Sequence, residues 1–202
     1  MGLDVWLYQF KGLNTDAILK LSQFSEEPWA SGAFQKWKTL PESDRGPFPS
    51  EADRIAHREK LAARARELGI PEKILKHESF GGEHICFPSK ANPQMPVGDW
   101  YSFSMTQTLM KHFIGKDIYF AFPEAGEDLH YYFKPDWAAA KGKLSEILKE
   151  LKKVEPAELE KFCFGLSESF DHHLNQIEVM IETMDYVLSH PHPEEFLLCW
   201  SD

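Results

Sequence analysis

The stretch from Leu166 to Ser189 constrains this chain more than any other. Phe170, Leu174, Ile177, Ile181, Met184 and Leu188 recur at helical spacing, while Glu168, Asp171, Asn175, Glu178, Glu182 and Asp185 fall on the other side. The pattern predicts one long amphipathic helix, whose apolar stripe must be laid against a second layer of structure. The next segment is of a different kind. After His190-Pro191-His192-Pro193, the tail Phe196 to Trp200 reads as a strand. A long helix running into a terminal strand calls for helices packed on a sheet.

The start of the chain supplies more of that sheet. From Leu3 to Phe10, Val5, Leu7 and Gln9 alternate with Trp6, Tyr8 and Phe10. Both sets are bulky, so this strand is expected to be central or covered on both faces. A short helix should come next, capped by Asn14 or Thr15, and Ser50 should cap a helix through Ala52, Ile55, Ala56 and Leu61 that stops at Gly69. Pro71 begins a shorter helix ending near Lys76, and Pro28 to Pro49 is irregular but aromatic. His77 to Phe87 reads as a hairpin around Gly81-Gly82, and Pro88 to Gly98 as a loop before an extended Trp100 to Phe103. Ser104 caps a helix closed by Gly115. Asp117 to Phe122 and Leu129 to Phe133 read as two strands of a second hairpin. Asp136 caps a helix whose Trp137, Ala140, Leu144, Ile147, Leu148 and Leu151 share a face, and a helix opened by Pro156 leads to Phe164. There is no βαβ rhythm and no internal repeat. The expected class is α+β, a mainly antiparallel sheet with amphipathic helices packed on it, in a single globular domain over residues 1–202.

Composition narrows the function classes. Residues of apolar type make up 43% of the chain and charged residues 27%, values that suit a globular protein. The three cysteines, Cys86, Cys163 and Cys199, are too few and too widely spaced for a disulfide framework, which suits a reducing, cytoplasmic setting. No signal segment or membrane span is legible, and Trp6 stands where myristoylation wants Ser or Thr. With 22 Lys and Arg against 32 Asp and Glu, the net charge of −10 repels phosphate backbones, so nucleic-acid binding is disfavoured and a basic protein partner is not. No Gly-rich phosphate loop follows a strand, and no cofactor motif is present.

Several segments carry a family resemblance. Met1-Gly2-Leu3-Asp4 leading to Leu7-Tyr8, Pro88-Ser89-Lys90 followed by Pro93, Pro135-Asp136-Trp137 before an amphipathic helix, Glu182 to Ser189, and Leu198 to Ser201 all resemble a group of bacterial and phage proteins of unassigned activity. The resemblance covers both ends and patches between, roughly half the chain. The middle departs from it: Gly98-Asp99-Trp100-Tyr101-Ser102 stands where the group tends to show an Arg-Ser-Ser-Tyr-Asn-like segment. The resemblance implies an origin and no mechanism.

Four constellations could carry chemistry. His77, His84 and Cys86, with Glu78 and Glu83 beside them, offer imidazole and thiolate to zinc, but a fourth ligand is not evident and the alternation with Ile85 and Phe87 is also that of a half-buried strand. No metal is therefore assigned. On the long helix, His173 falls on the apolar stripe and His172 among the acids, with Glu168 one turn away. Cys86 has His84 on its own strand face, as a thiol nucleophile would need, whereas Cys163 between Phe162 and Phe164 reads as core. The fourth is the loop from Pro88 to Ser104, where Lys90, Asp99, Trp100, Tyr101 and Ser104 form the preferred binding candidate. The leading expectation is a non-enzymatic binding or accessory protein that recognises a macromolecular partner, of inhibitor or immunity type. The alternative is a small enzyme with a His/Cys, carboxylate or metal-assisted site near residues 84–99, around His84, Cys86 and Asp99.

Overall fold

The computed structural model describes residues 4–26, 40–45, 50–71, 81–100, 104–125 and 131–201. The chain divides into two compact units, Met1–Gln9 with Glu83–Asp202, and Phe10–Gly82.

The larger unit is built on an antiparallel sheet. Its first strand, β1 (Asp4–Gln9), pairs along its whole length with the terminal strand β7 (Phe196–Ser201), from Asp4↔Ser201 to Gln9↔Phe196. A short strand β6 (Tyr131–Phe133) continues the sheet beyond β7. The other edge of β1 is shared by two strands of two residues each, β2 (Glu83–His84) and β5 (Asp99–Trp100), lying end to end. Phe87–Pro88 (β3) and Pro96–Val97 (β4) form a separate antiparallel pair between them in sequence.

The alternation in β1 sets the two faces. Val5, Leu7 and Gln9 are buried, and with Phe196, Leu198, Trp100 and Phe133 they form the face that meets the helices. Asp4, Trp6 and Tyr8, half-buried, point the other way. On the first face lie α3 (Ser104–Ile114), α4 (Ile118–Ala121), α5 (Trp137–Leu151), α6 (Pro156–Phe162) and α7 (Leu166–Ser189). The core runs through Leu109, Met110, Leu144, Ile147, Ile177, Met180, Met184 and Val187. As expected, Asp136 caps α5, its carboxylate accepting from Ala139 N at 3.0 Å, and Gly115 closes α3 at φ +66°. The α+β class, the long helix and the terminal strand are all present.

The smaller unit holds α1 (Thr15–Glu26) and α2 (Glu51–Glu67), which pack together. Asn14 is the cap of α1, accepting from Asp16 N at 3.0 Å, and Ala17, Ile18 and Leu21 are buried. Gly69, at φ +72°, follows α2 as a stop. Among the described residues no helix is long and apolar enough to cross a membrane.

Several expectations are corrected. Residues 117–122 are not a strand: Asp117 accepts from Tyr119 N at 3.1 Å and opens the helical turn α4. Ile118, Ala121 and Phe122 are buried at i, i+3 and i+4, the spacing of a helix, whereas the unbroken apolar run Ile118 to Phe122 reads equally as a strand buried on both faces. The partner of β6 is therefore β7 and not a hairpin neighbour. His84 to Phe87 is not one continuous hairpin arm either. Its backbone switches partner midway, from β1 at His84 and Ile85 to β4 at Phe87. The buried face of α7 is wider than the expected stripe. Val179, Met180, Thr183 and Val187 are buried and Leu188 is 42% exposed, because α5 and the β3–β4 segment flank the helix on different sides. Cys163 and Phe164 are exposed instead of core, since α6 ends at Phe162 and the chain turns outward. The helix expected after Pro71, His77 to Phe80, residues 101–103 and most of Pro28 to Pro49 lie outside the described residues.

Candidate functional site

The site follows from the register of β1. Antiparallel partners share a face, so His84, opposite Tyr8, and Asp99, opposite Trp6, both project on the side away from the helices. Trp6 and Tyr8 are two residues apart, which places their partners next to each other along one edge. Leu7 between them ties the two short strands together: its N–H donates to Gly98 O at 2.8 Å and its carbonyl accepts from Ile85 N at 2.9 Å. Cys86, two residues beyond His84, returns to the same neighbourhood.

Gly98 makes this junction geometrically feasible. It sits at φ +82°, and a Cβ there would stand 2.1 Å from Ile85 O. Only a glycine lets the two backbones approach so closely.

The result is a cluster of one imidazole, one thiol and one carboxylate. One ligand atom from each of His84, Cys86 and Asp99 lies within 4.8 Å of the others, the one such group of three among the described residues. His84 Nε2 and Asp99 Oδ2 are 3.8 Å apart. That is too long for a hydrogen bond. It is close to the edge of a coordination tetrahedron, about 3.4 Å for bonds of roughly 2.1 Å. Asp99 is buried, with 6% of its side chain exposed, while His84 is 35% exposed and Cys86 is exposed. The carboxylate thus forms the floor, and the other two groups form a rim open to solvent. The Tyr8 ring lies 5.6 Å from the His84 ring and limits its rotation. Burial first, and then the charge of Asp99, push the Cys86 thiol above its ordinary range.

The segment carrying Cys86 and Asp99 is clamped to α7. Ser89 Oγ donates to Glu182 Oε2 at 2.6 Å, and Lys90 N donates to the same carboxylate at 3.0 Å. Gly98 N donates to Thr183 Oγ1 at 3.1 Å, and the Phe87 ring packs edge-on against Tyr186. Burial raises the Glu182 carboxyl, but the hydrogen bonds from Ser89, Lys90 and Ala91 outweigh it and hold the group below its usual value. A site on strands braced by a helix is held to tighter tolerance than one on a free loop.

Of the described residues expected to form a binding surface, only Asp99 joins this cluster. Lys90 is exposed and uses its backbone N–H on Glu182. Trp100 is 3% exposed and belongs to the core, and Ser104 is half-buried in the first turn of α3. Tyr101 and His77 lie outside the described residues. On α7, His173 is engaged by structure. Its Nδ1 is 2.9 Å from Thr106 Oγ1, which in turn donates to Gln176, so the imidazole helps to fasten α3 to α7. Burial first and the neighbouring His172 second lower its pKa.

Behind the cluster, the same sheet face carries Tyr132 and Cys199. The Tyr132 phenol is pushed far above its usual range by burial, then by Cys199 and Tyr8, and burial pushes the Cys199 thiol up to about 11. Both are neutral at physiological pH and fill space. Comparison of the chain with protein-family models, curated proteins and solved structures found no match.

Proposed function

We propose that this protein binds one thiophilic divalent cation of the zinc class through His84 Nε2, Cys86 Sγ and Asp99 Oδ2, leaving the fourth position to solvent or to a small ligand. The observation that carries the reading is the convergence of three ligand atoms of different chemistry within 4.8 Å, around an opening to solvent. Nitrogen, thiolate sulfur and carboxylate oxygen are a donor set that zinc accepts. Three protein ligands with an open position characterise sites where the ion acts as a Lewis acid, whereas structural sites are closed by four. The unit around the cluster has a large apolar core of its own, so the ion has no folding task to perform.

The bare cluster also has the composition of a thiol nucleophile with a base and an orienting acid. The electrostatics oppose that use. A nucleophilic cysteine is held as thiolate by nearby positive charge, and here burial and Asp99 act in the opposite direction. A cation resolves the conflict, because it is attracted by Asp99 and stabilises the thiolate it binds.

Titration with zinc should give one ion per chain. His84→Ala, Cys86→Ser and Asp99→Asn should each weaken binding by more than about 100-fold without loss of the fold, as all three groups lie at the sheet edge. Cobalt should show a thiolate charge-transfer band that Cys86→Ser abolishes. Binding that survives all three substitutions would defeat the proposal. So would rapid alkylation of metal-free Cys86 at neutral pH, which would favour the nucleophile.

A further inference from the structure

Cys86 lies where the chain changes partner. Ile85 N still donates to Leu7 O on β1 at 2.9 Å, and Phe87 already pairs with Val97 on β4. The residue between them belongs to neither ladder, and its thiol is exposed. Among the described residues no hydrogen bond reaches Cys86 Sγ. Asp99, on the same cluster, has only 6% of its side chain exposed. The sulfur is therefore the open side of the site and the carboxylate its closed side.

A thiol that ligates a cation gives up its proton, so its sulfur keeps thiolate character at neutral pH. N–H groups aimed at such a sulfur draw off electron density, and burial keeps oxidants away from it. Cys86 has neither protection. Thiolate character and exposure together decide which cysteine is oxidised first. The other two cysteines do not combine them. Cys199 is half-buried, and Cys163, though exposed, stands in no cluster of ligand groups among the described residues and donates from Sγ to Phe164 O at 3.8 Å. The number of ligands decides what oxidation does to the site. A site of four thiolates that loses one keeps three, but here loss of the single sulfur leaves His84 and Asp99 alone. Hydrogen peroxide is small and neutral, so the net charge of −10 does not repel it from the opening.

We infer that oxidation of Cys86 by a hydroperoxide empties the site, so that the protein gives up its cation in response to peroxide; this rests on the cation being held as proposed above. The Cys86 sulfur attacks the outer oxygen of the hydroperoxide. An S–O bond forms, the O–O bond breaks, and the remainder leaves as hydroxide or alkoxide and takes a proton from water. Sulfur loses the two electrons that the peroxide gains, and a sulfenic acid results. Any charge in the product sits on the added oxygen, one bond away from the place where Sγ faces the other two donors, so the bond from sulfur to the cation is lost. The test loads the full chain with zinc, removes the excess, and adds hydrogen peroxide beside a chromogenic zinc chelator. Zinc should be released in step with one oxygen added to the peptide that carries Cys86, and the oxidised protein should bind zinc more than about 100-fold more weakly. Cys163→Ser should release zinc as the wild type does. Zinc that stays bound in peroxide, or that leaves while Cys86 is unmodified, overturns this inference and leaves the cation reading standing. A chain that takes up no zinc overturns both.

Discussion

Gly98→Ala is the substitution on which the geometry makes its sharpest demand. At φ +82° an alanine is disfavoured by about 1–2 kcal/mol. Its Cβ would also stand 2.1 Å from Ile85 O and 3.3 Å from Leu7 Cβ, where contact begins near 3.5 Å. Relief requires the two backbones to separate by about 1 Å. That stretches Leu7 N–Gly98 O from 2.8 Å and Ile85 N–Leu7 O from 2.9 Å out of hydrogen-bonding range. Each bond contributes about 1 kcal/mol net, so the whole cost is about 3–4 kcal/mol. Urea unfolding should show it as a lower midpoint at unchanged slope. Gly115→Ala is the control. It has the same kind of backbone, φ +66°, with nothing within 4 Å of the added carbon, so it should cost only about 1–2 kcal/mol. Zinc affinity should separate the two further. Gly98→Ala displaces Asp99 from His84 and should lose at least about 10-fold, whereas Gly115→Ala should bind as wild type. If the two variants unfold and bind zinc alike, the close approach at Gly98 is not what builds the site.

Other expectations come from the packing around it. Glu182→Ala removes the acceptor of Ser89 Oγ and Lys90 N and should cost about 1–3 kcal/mol, read by unfolding at neutral pH. Because the Glu182 carboxyl is held below its unfolded value, its contribution is present above that value and fades as pH falls through the lowered one; the wild-type and variant stabilities should therefore converge in acid. Cys199 behaves in the opposite sense. Burial pushes its thiol up to about 11 from the ordinary 9.0, so the folded state holds the proton longer and stability should fall between those values by about 2–3 kcal/mol. Cys199→Ala should flatten that part of the pH profile, and an unchanged slope would count against the burial assigned to it. Thr106→Val removes a hydroxyl that meets both His173 and Gln176 across α3 and α7, and the loss of those two hydrogen bonds should cost about 1–3 kcal/mol. Exchange of the α7 amides near His173 should quicken with it.

The parts of the fold legible in the sequence are those whose periodicity has one solution. The stripe from Phe170 to Met184, the Asp136-capped helix and the double-sided aromatic strand at Val5 to Tyr8 each admit a single reading, and each forms as expected. The unbroken apolar run Ile118 to Phe122 admits two, and the Asp117 side chain decides for the helix by accepting from Tyr119 N. The site was half legible. His84 and Cys86 share a strand face, which any alternation shows, and Asp99 is the nearby acid of the alternative site, but its convergence with them depends on Trp6 and Tyr8 pairing with residues from two separate segments. No local spacing encodes a register set by a strand more than seventy residues away. Gly98 beside Asp99 was the available signal, a glycine in an extended segment that marks close backbone approach. Trp100 misled in the other direction. Its aromatic character reflects its place opposite Val5 in the core and not a surface for a partner.

If His84, Cys86 and Asp99 hold one cation together, X-ray absorption at the zinc edge of the loaded protein should show one sulfur scatterer at about 2.3 Å and nitrogen or oxygen scatterers at about 2.0–2.2 Å. The sulfur shell should be lost in Cys86→Ser and the imidazole scattering in His84→Ala. A first shell of light atoms alone in the wild-type protein, or a sulfur shell that persists in Cys86→Ser, would contradict it.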